Sequence, residues 1–587
     1  MRVPLVNRVP GRRLAGRRLP AAAAAVLSLA LSMDAAAQLL PPVLQAPPVP
    51  PGAPAPPPTA APDTIPAAPP GRGAPPGAER IFVTPSAIEL EGNTVYPPGV
   101  LEEFTRPVIG QRVPVSELFA VAQRIEAKYR ADGYFLTTVF LPAQRAPDGR
   151  IRIQIVEGYI SSVVIEGNVG PVASQAKRFL DKVTLPRPAN LRDVERYLLL
   201  TQDLPGISMK AVLRPGREPG SAELVAQLQR RPWDGLFHVH NRGSKFTGPI
   251  QGTLTLGLNS FTGLGERIEG TFFTTFNKEQ NFGQVTWSNY IGGEGLQFRA
   301  YLGRGWLQPG EALEILGYDG VLTVAGAQLL YPVVRARQFN LNVTGMFDYY
   351  HSSADIFNNV KLVRTDLSVL RAGADANYRD NWNGVTFGNV RFSQGISAFG
   401  ATKEGDPLFN RFGADPTFFK ANAEVSRLQG VWVGSGFTLN AFGTLAGQYS
   451  EDILPSNEKF FVGGERLGRG YFAGQVTGDK ALAGSLELQL NFGIPFDEGS
   501  DVGGPASGSL LPVQLYVFYD HAKVWNNAPF EVKHQTARSF GAGVRVSLLD
   551  TVAVEVEGTR RLDRDVDGAA ASKLDPWKLF ARLTARF

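Results

Sequence analysis

Over the last three-fifths of the chain, apolar and polar residues alternate with a period of two, in runs separated by Gly, Asn, Asp and Pro. Leu254, Leu256 and Leu258 alternate with Thr253, Thr255 and Asn259. Leu486, Leu488, Leu490 and Phe492 alternate with Ser485, Glu487, Gln489 and Asn491, and Val552, Val554 and Val556 with Ala553, Glu555 and Glu557. The last run sets Leu579, Ala581, Leu583, Ala585 and Phe587 against Arg582, Thr584 and Arg586. Neighbouring side chains of a strand point to opposite faces, so each run predicts a strand with one apolar and one polar face. Sixteen such strands follow Pro232: 235–243, 250–260, 267–276, 282–291, 296–306, 320–334, 338–350, 365–379, 384–396, 418–430, 436–449, 480–492, 512–525, 539–549, 552–562 and 579–587.

A soluble sandwich alternates in the same way, and the connections separate the two folds. The spacing predicts long loops at 307–319, 351–364, 397–417, 450–479, 526–538 and 563–578. Short turns fall at 261–266, 292–295, 335–337, 380–383, 431–435 and 550–551, with 493–511 as the exception. An even number of strands near ten residues long, with short turns on one side and long loops on the other, is the pattern of a transmembrane β-barrel. The expected fold is therefore mainly β, a 16-stranded barrel over 233–587 whose sixth outer loop is 450–479.

Before Pro232 the period changes to that of helices. In residues 80–157, Ile81–Glu91 reads as a strand. Ser116 is placed to cap a helix that puts Leu118, Val121, Ala122, Ile125 and Tyr129 on one face and ends at Asp132-Gly133. Tyr134–Leu141 and Arg150–Val156 read as a hairpin around Asp148-Gly149. Residues 158–232 repeat that order. A strand Ile160–Glu166 precedes a helix near Ala173–Leu180. A second helix from Asn190 turns Leu191, Val194, Tyr197 and Leu198 inward, and a hairpin pairs Ile207–Leu213 with Ala222–Gln229. Two α+β units of β-α-α-β-β order thus stand in tandem ahead of the barrel.

Composition alters this picture at the N-terminus. Arg2, Arg8, Arg12, Arg13, Arg17 and Arg18 precede the apolar run Ala21–Leu31 and then Ala35-Ala36-Ala37, which reads as an export signal over 1–37. Its removal takes away six of 59 basic and one of 54 acidic side chains, leaving the two signs equal. The basicity of the chain lies in the leader, so a nucleic-acid partner loses its support. Sixteen of the 44 prolines crowd between Pro41 and Pro76, and residues 38–79 read as an extended linker too rich in proline for a helix. The absence of Cys excludes disulfides, thiolate metal sites and a Cys nucleophile.

Particular residues narrow the class. The first unit carries Tyr129, Asp132-Gly133-Tyr134, Leu141-Pro142-Ala143-Gln144, Asp148-Gly149-Arg150-Ile151 and Val156-Glu157-Gly158-Tyr159-Ile160. The second carries Glu195-Arg196-Tyr197-Leu198-Leu199-Leu200, Asp203-Leu204-Pro205-Gly206 and Leu213-Arg214-Pro215-Gly216. The barrel opens on Asn241-Arg242-Gly243, and its sixth outer loop holds Gly463-Gly464-Glu465-Arg466-Leu467-Gly468-Arg469-Gly470-Tyr471. Together these resemble the outer-membrane transporters of two-partner secretion, haemolysin activation/secretion proteins of the barrel-assembly superfamily. In that family two periplasmic polypeptide-transport-associated (POTRA) modules precede a 16-stranded barrel.

The resemblance implies that loop six, through Gly463, Gly464, Arg469, Gly470 and Tyr471, folds back into the lumen. It also implies that Arg469 pairs with Asp520 on strand 13. Asp520 shares parity with Gln514 and Tyr516, opposite Leu515 and Val517, so it should face the lumen, as should Glu487. A guanidinium in a partly dehydrated lumen needs a carboxylate matched to its planar fork. The chain departs from the family pattern in His521-Ala522 after the aspartate and in Gly468 before the triplet.

By resemblance the chain is a translocase that carries an unfolded exoprotein from periplasm to surface without nucleotide hydrolysis. The POTRA modules would capture the client by strand addition along Tyr134–Leu141 and Ile207–Leu213. Phe587 would serve as the terminal signal read by the barrel-assembly machinery. A barrel insertase and a passive porin are the competing readings. The two modules and Asp203-Leu204-Pro205-Gly206 favour secretion, and a diffusion pore needs no such modules.

No catalytic residue, cofactor or metal is expected. The chain has no Gly-x-x-x-x-Gly-Lys-Ser/Thr loop and no Gly-x-Ser-x-Gly elbow. His238 and His240 share a strand face like a metal pair, but no carboxylate or third His lies nearby in sequence, which favours a wall position near the periplasmic rim. Glu487 and Asp520 read as lumen charges rather than a catalytic acid pair.

Overall fold

The structure, a computed structural model, describes residues 73–244, 246–357, 360–495, 510–549, 551–566 and 573–587. The export signal and nearly all of the proline-rich linker lie outside the described residues. Sixteen strands form one closed antiparallel barrel in sequence order: Trp233–His240, Gln251–Asn259, Arg267–Thr275, Gln280–Ile291, Leu296–Leu307, Asp319–Arg335, Phe339–Ile356, Val360–Arg379, Gly384–Ile396, Phe419–Gly434, Phe437–Tyr449, Lys480–Pro495, Leu510–Trp525, His534–Leu549, Val552–Arg561 and Trp577–Arg586. Closure leaves no open edge, the condition that lipid imposes on any sheet crossing it.

The two faces of the wall invert the rule for water-soluble proteins. Val285, Leu302 and Leu486 are 58%, 61% and 56% exposed on the outside. Thr253, Gln284, Thr286, Asp348, Ser426, Thr444, Glu487, Asp520, Glu555 and Glu557 are buried on the inside. A sandwich would place its apolar face in a core, so this distribution decides for a lipid-facing barrel. Among the described residues no helix is long and apolar enough to cross a membrane.

The first and last strands close the barrel over five residue pairs, 236–240 with 582–586. Gly235 and Phe587 extend the seam by exchanging backbone hydrogen bonds of 2.8 and 3.1 Å. A Cβ on Gly235 would lie 2.2 Å from the Phe587 ring, so only glycine leaves room for that ring, which also packs on Trp233.

The predicted loop 351–364 is instead mostly strand. Phe339–Ile356 and Val360–Arg379 run on past the predicted ends, leaving a short connection around Phe357. Ser352, Ala354, Val363 and Thr365 are buried there, so the alternation continues beyond the stretch that lipid demands. Residues 496–509 of the irregular connection 493–511 lie outside the described residues.

The two N-terminal units share one topology, as their repeat predicts. In the first, Arg150–Val156 lies between parallel Ala87–Glu91 and antiparallel Thr138–Phe140. In the second, Ser221–Arg230 lies between parallel Tyr159–Glu166 and antiparallel Ile207–Pro215. The helix Val115–Ala131 buries Leu118, Val121, Ile125 and Tyr129 against Ile151, Ile153 and Ile155. Each such side chain contributes about 1.5–3 kcal/mol by leaving water.

Ser116 does not cap this helix, which starts at Val115 with no side-chain cap. Its first N–H groups are met instead by carbonyls of the preceding segment, Val115 to Ile81 at 2.8 Å and Ser116 to Ala78 at 3.3 Å. The strand Ile81–Glu91 is broken around Pro85 into Phe82–Val83 and Ala87–Glu91.

The units are joined to each other and to the barrel. Asn190 caps the helix Leu191–Gln202 through Arg192 N–H and donates to the Asp132 carbonyl at 3.2 Å. Leu191 N–H meets the Gly133 carbonyl at 2.8 Å. Asp203-Leu204-Pro205-Gly206 docks the second unit on the barrel rim. Asp203 takes two 2.7 Å bonds from Arg335, Ser260 donates to the Pro205 carbonyl at 2.7 Å, and Arg231 N–H to the Gly206 carbonyl at 2.7 Å. Arg196 donates to the carbonyls of Pro332, Val333 and Glu294 at 2.9, 3.2 and 3.3 Å. Tyr197 is only half-buried, because its hydroxyl donates to Glu294 of a barrel turn at 3.0 Å.

Hydrogen bonds from a charged donor contribute about 1.5–3 kcal/mol. Arg196→Ala should therefore speed amide exchange in the turn 292–295 by roughly tenfold or more, measured by mass spectrometry in detergent. Unchanged exchange would show that Arg196 does not hold the second unit to the rim.

Candidate functional site

Loop six enters the lumen as a hairpin whose arms pair over Phe460–Val462 and Val476–Gly478. Its tip is a compact turn. Gly463 N–H meets the Leu467 carbonyl at 2.8 Å, Gly464 N–H the Tyr471 carbonyl at 2.9 Å, and Tyr471 N–H the Gly468 carbonyl at 2.9 Å. Gly463 and Gly468 have φ of 111° and 78°, which bulky residues avoid. The departure at Gly468 thus has a local cause, since a Cβ there would also lie 2.7 Å from Val462 Cγ1.

The turn delivers Arg469 to the wall. Asp520 is fully buried and takes three hydrogen bonds from this one residue, from the backbone N–H at 2.7 Å, Nη2 at 3.0 Å and Nε at 3.2 Å. Nη1 donates to Glu487, Nη2 also donates to Ser485 at 3.0 Å, and the guanidinium lies 3.6 Å above the Phe518 ring. Arg469 and Asp520, which the resemblance pairs, are in direct contact, and Glu487 is a second carboxylate on the same guanidinium. Glu487 is shared with Arg545 at 2.7 Å.

Gly470 and Tyr471 complete the seat. A Cβ on Gly470 would sit 2.7 Å from the Ser539 Cβ, so the turn can approach the wall only through glycine. The Gly470 carbonyl accepts from Arg561 at 2.5 Å. Tyr471 is fully buried, with its hydroxyl 2.7 Å from the Asp563 carbonyl oxygen. Ala522, one of the departures after Asp520, packs on the loop-six cluster around Tyr471, while His521 faces outward.

The base of the loop is tied down as well. Asp479 takes 2.5 and 2.8 Å bonds from Arg411, which also reaches Glu531 at 2.6 Å. Glu458 takes bonds from Arg371 and Lys420, each at 2.7 Å. Below the tip lies a cavity of about 1160 Å³, lined by Arg469, Glu487, Arg545, Glu555 and Arg582 and reaching Leu200 and Asp203 of the second unit.

The histidine pair is not at the periplasmic rim. His238 and His240 lie at the far end of the first strand and face loop six, with Glu465 Oε1 3.1 Å from His238 Nε2. The three residues bring possible ligand atoms within 4.8 Å of one another, the carboxylate arriving from 225 or more positions away. Protein groups already occupy them. His240 Nδ1 accepts from Arg242 N–H at 3.1 Å, and Arg582 holds the other Glu465 oxygen at 3.0 Å.

The docking segments fall on sheet edges, with two corrections. Only Thr138–Phe140 of Tyr134–Leu141 is strand, because Tyr134 N–H turns back to the Tyr129 carbonyl at 2.9 Å and Thr137 N–H to the Tyr134 carbonyl at 3.2 Å. The side chains of Tyr134, Leu141, Ile207 and Leu213 pack into the module cores, so each edge offers backbone rather than these groups.

A closed barrel with an apolar exterior, a charged lumen, a loop folded into it and two tandem modules at one rim defines an outer-membrane pore of the barrel-assembly class. The chain belongs to the family of haemolysin secretion/activation proteins ShlB/FhaC/HecB, whose model matches residues 220–546, more than half of the chain. A model of the ShlB-type POTRA domain matches residues 83–158. The chain is 23% identical over 489 residues to the heme/hemopexin transporter protein HuxB of Haemophilus influenzae, covering 80% of this chain and 81% of HuxB. It is 23% identical over 445 residues to the outer membrane transporter CdiB-2 of Burkholderia pseudomallei, covering 69% and 71%.

Among solved structures, CdiB from Escherichia coli superposes with a TM-score of 0.69 at 19% identity, covering 88% of this chain and 92% of that one. CdiB from Acinetobacter baumannii gives 0.59 at 15% identity, covering 86% and 90%. The protein is thus an outer-membrane transporter of two-partner secretion with its N-terminal modules in the periplasm, and its family moves a secreted partner protein.

Asp520→Ala would remove two acceptor oxygens and the three hydrogen bonds that Arg469 makes to them. Losing one partner of a buried pair costs several kcal/mol, and with Glu487 still present about 3 kcal/mol is expected. Urea unfolding of the barrel in detergent micelles should show that loss; a midpoint equal to the parent's would mean the pair does not hold loop six.

Proposed function

We propose that this transporter exports one large, unfolded haemolysin- or adhesin-like exoprotein through the barrel lumen, without nucleotide hydrolysis. The observation that carries the reading is the cavity that touches both Leu200 and Asp203 of the second POTRA module and Arg469 at the tip of loop six. Arg469, Gly470 and Tyr471 close the lumen at rest, and a passing chain would displace them from Asp520 and Glu487. Folding of the client outside would make the step directional by preventing return.

The first contact would be made on the second module. In an antiparallel edge strand, alternate residues turn N–H and C=O outward, ready for an added strand. Gly206 and Gly216 bond toward the neighbouring strand, so the odd residues Ile207, Met209, Ala211 and Leu213 face away from it. The corresponding edge of the first module is closed, since Val139 N–H donates to the buried Glu126 carboxylate at 3.1 Å. Strand addition is therefore assigned to Ala211–Leu213, with the first module as a lateral guide.

A proline at an outward-facing position removes a docking donor while leaving the sheet's own ladder in place. Co-expressed with its exoprotein in a Gram-negative host, the Ala211→Pro variant should secrete at least tenfold less client, with unchanged barrel in the membrane. Secretion at the parent level would end the assignment of that edge, and failure of the parent to secrete any two-partner exoprotein would end the functional reading itself.

Phe587 is proposed as the signal read by the barrel-assembly machinery. Its ring lies on the lipid face at the seam, where the last strand must find the first. Deleting Phe587 should lower the amount of heat-modifiable folded barrel in the outer membrane severalfold; equal amounts would assign the residue to packing alone.

A further inference from the structure

Arg242 lies outside the Arg469 pair yet grips the same turn. The first barrel strand ends at His240, and at Asn241 the side chain takes over the ladder. Its Nδ2 donates to the Leu579 carbonyl at 3.2 Å, and its Oδ1 accepts from Ala581 N–H at 2.8 Å. The seam is thus continued by a side chain, and the next residue, Arg242, is buried at 5% exposure beneath the tip of loop six.

There the guanidinium makes three contacts that no other side-chain type could combine. Nη1 donates to the Gly464 carbonyl at 3.1 Å and the Arg469 carbonyl at 3.0 Å, and Nη2 donates to Glu557 at 2.7 Å. Its face lies 4.2 Å from the centre of the Phe580 ring on the last strand. Glu557 is itself oriented by the Tyr516 hydroxyl at 2.9 Å. The two carbonyls bracket the turn 464–469. Buried carbonyls need donors, and a rigid planar fork is suited to bridging two of them while keeping a carboxylate partner.

We propose that Arg242 is a positioning residue that registers loop six to the closing seam of the barrel. It recognises the backbone of the turn through the Gly464 and Arg469 carbonyls, while its carboxylate partner Glu557 also lies 3.9 Å from Arg469 Nη1. Its own neighbour Asn241 is hydrogen-bonded to the last strand, so the seat of the loop and the join between first and last strands share one short segment. The proposal rests on reading loop six as the obstacle a client displaces, but its test needs no client.

The chain has no cysteine, so single cysteines report local opening without further engineering. Leu467→Cys places a thiol within the buried turn, and Phe409→Cys places one in the buried cluster of the neighbouring outer loop. Labelling by a charged maleimide is followed in detergent-purified, heat-modifiable barrel. Combining Leu467→Cys with Arg242→Met should raise its labelling rate about tenfold or more. Arg242→Lys, whose ammonium replaces one contact but not the fork, should give an intermediate rise, while Phe409→Cys stays at its parent rate in both backgrounds.

An unchanged rate at Leu467→Cys would overturn the proposal, as would an equal rise at Phe409→Cys, which would mean general loosening. Should Arg242→Met fail to fold, the Arg242→Lys rate decides alone, a severalfold rise supporting the assignment and none refuting it. Loss of export in the Ala211→Pro variant leaves this result untouched, so the two readings fail separately.

Discussion

A guanidinium withdrawn from water must have its donors met and its charge balanced, and this requirement at Arg469 organises the upper lumen. The turn that carries it closes through glycines at 463 and 468, and Gly470 lets it come within reach of the wall. Strands 12, 13 and 15 in turn present Glu487, Asp520 and Glu557 inward, and each of these carboxylates would be costly to bury alone. The pattern is reciprocal. Arg242, Arg469, Arg545 and Arg582 interleave with Glu465, Glu487, Asp520, Glu555 and Glu557, so that moving any one member leaves several others poorly satisfied. A lumen lined in this way is polar throughout its upper part and holds loop six against the wall.

Much of this was legible in the order of residues, because the period-two pattern and its parity survive closure. Each of the sixteen predicted strands overlaps an observed one, and Asp520 is buried on the inner face as its parity with Gln514 and Tyr516 requires. What escaped depends on contacts between distant segments. Ser116 looks like a helix cap, but Ile81 and Ala78 satisfy the helix start through tertiary structure. Tyr134 is apolar enough to read as strand, yet its backbone turns back to Tyr129. Residues 351–356 and 360–364 include several loop-forming types, yet they are strand, with Ser352, Ala354, Val363 and Thr365 buried against neighbouring outer segments. Glu465 beside His238 and Arg242 beneath Gly464 come together through a fold-back of more than 220 residues. The one signal pointing to Arg242 was the Asn-Arg-Gly step at the end of the first strand, which marks a break in the ladder without saying what the arginine meets.

The barrel and its second module are tied together by hydrogen bonds and ion pairs around the rim. Asp203, Arg196, Tyr197 and Ser260 connect them at three separate turns of the rim, and Leu200 and Asp203 line the same cavity as Arg469. The first module is joined to the second through Gly133, Asn190 and Leu191 and through Phe135, which is buried in the second module's core cluster. The Ile207–Pro215 edge of the second module therefore belongs to a part of the protein continuous with the rim of the barrel.

The carboxylate of Glu126 has a consequence for life in a compartment crowded with unfolded membrane proteins. Bare sheet margins invite indiscriminate pairing and aggregation. By occupying the Val139 donor from within, this buried acid withholds that N–H from any strand passing the Thr138–Phe140 margin, so a sheet edge is blunted by a side chain of its own module.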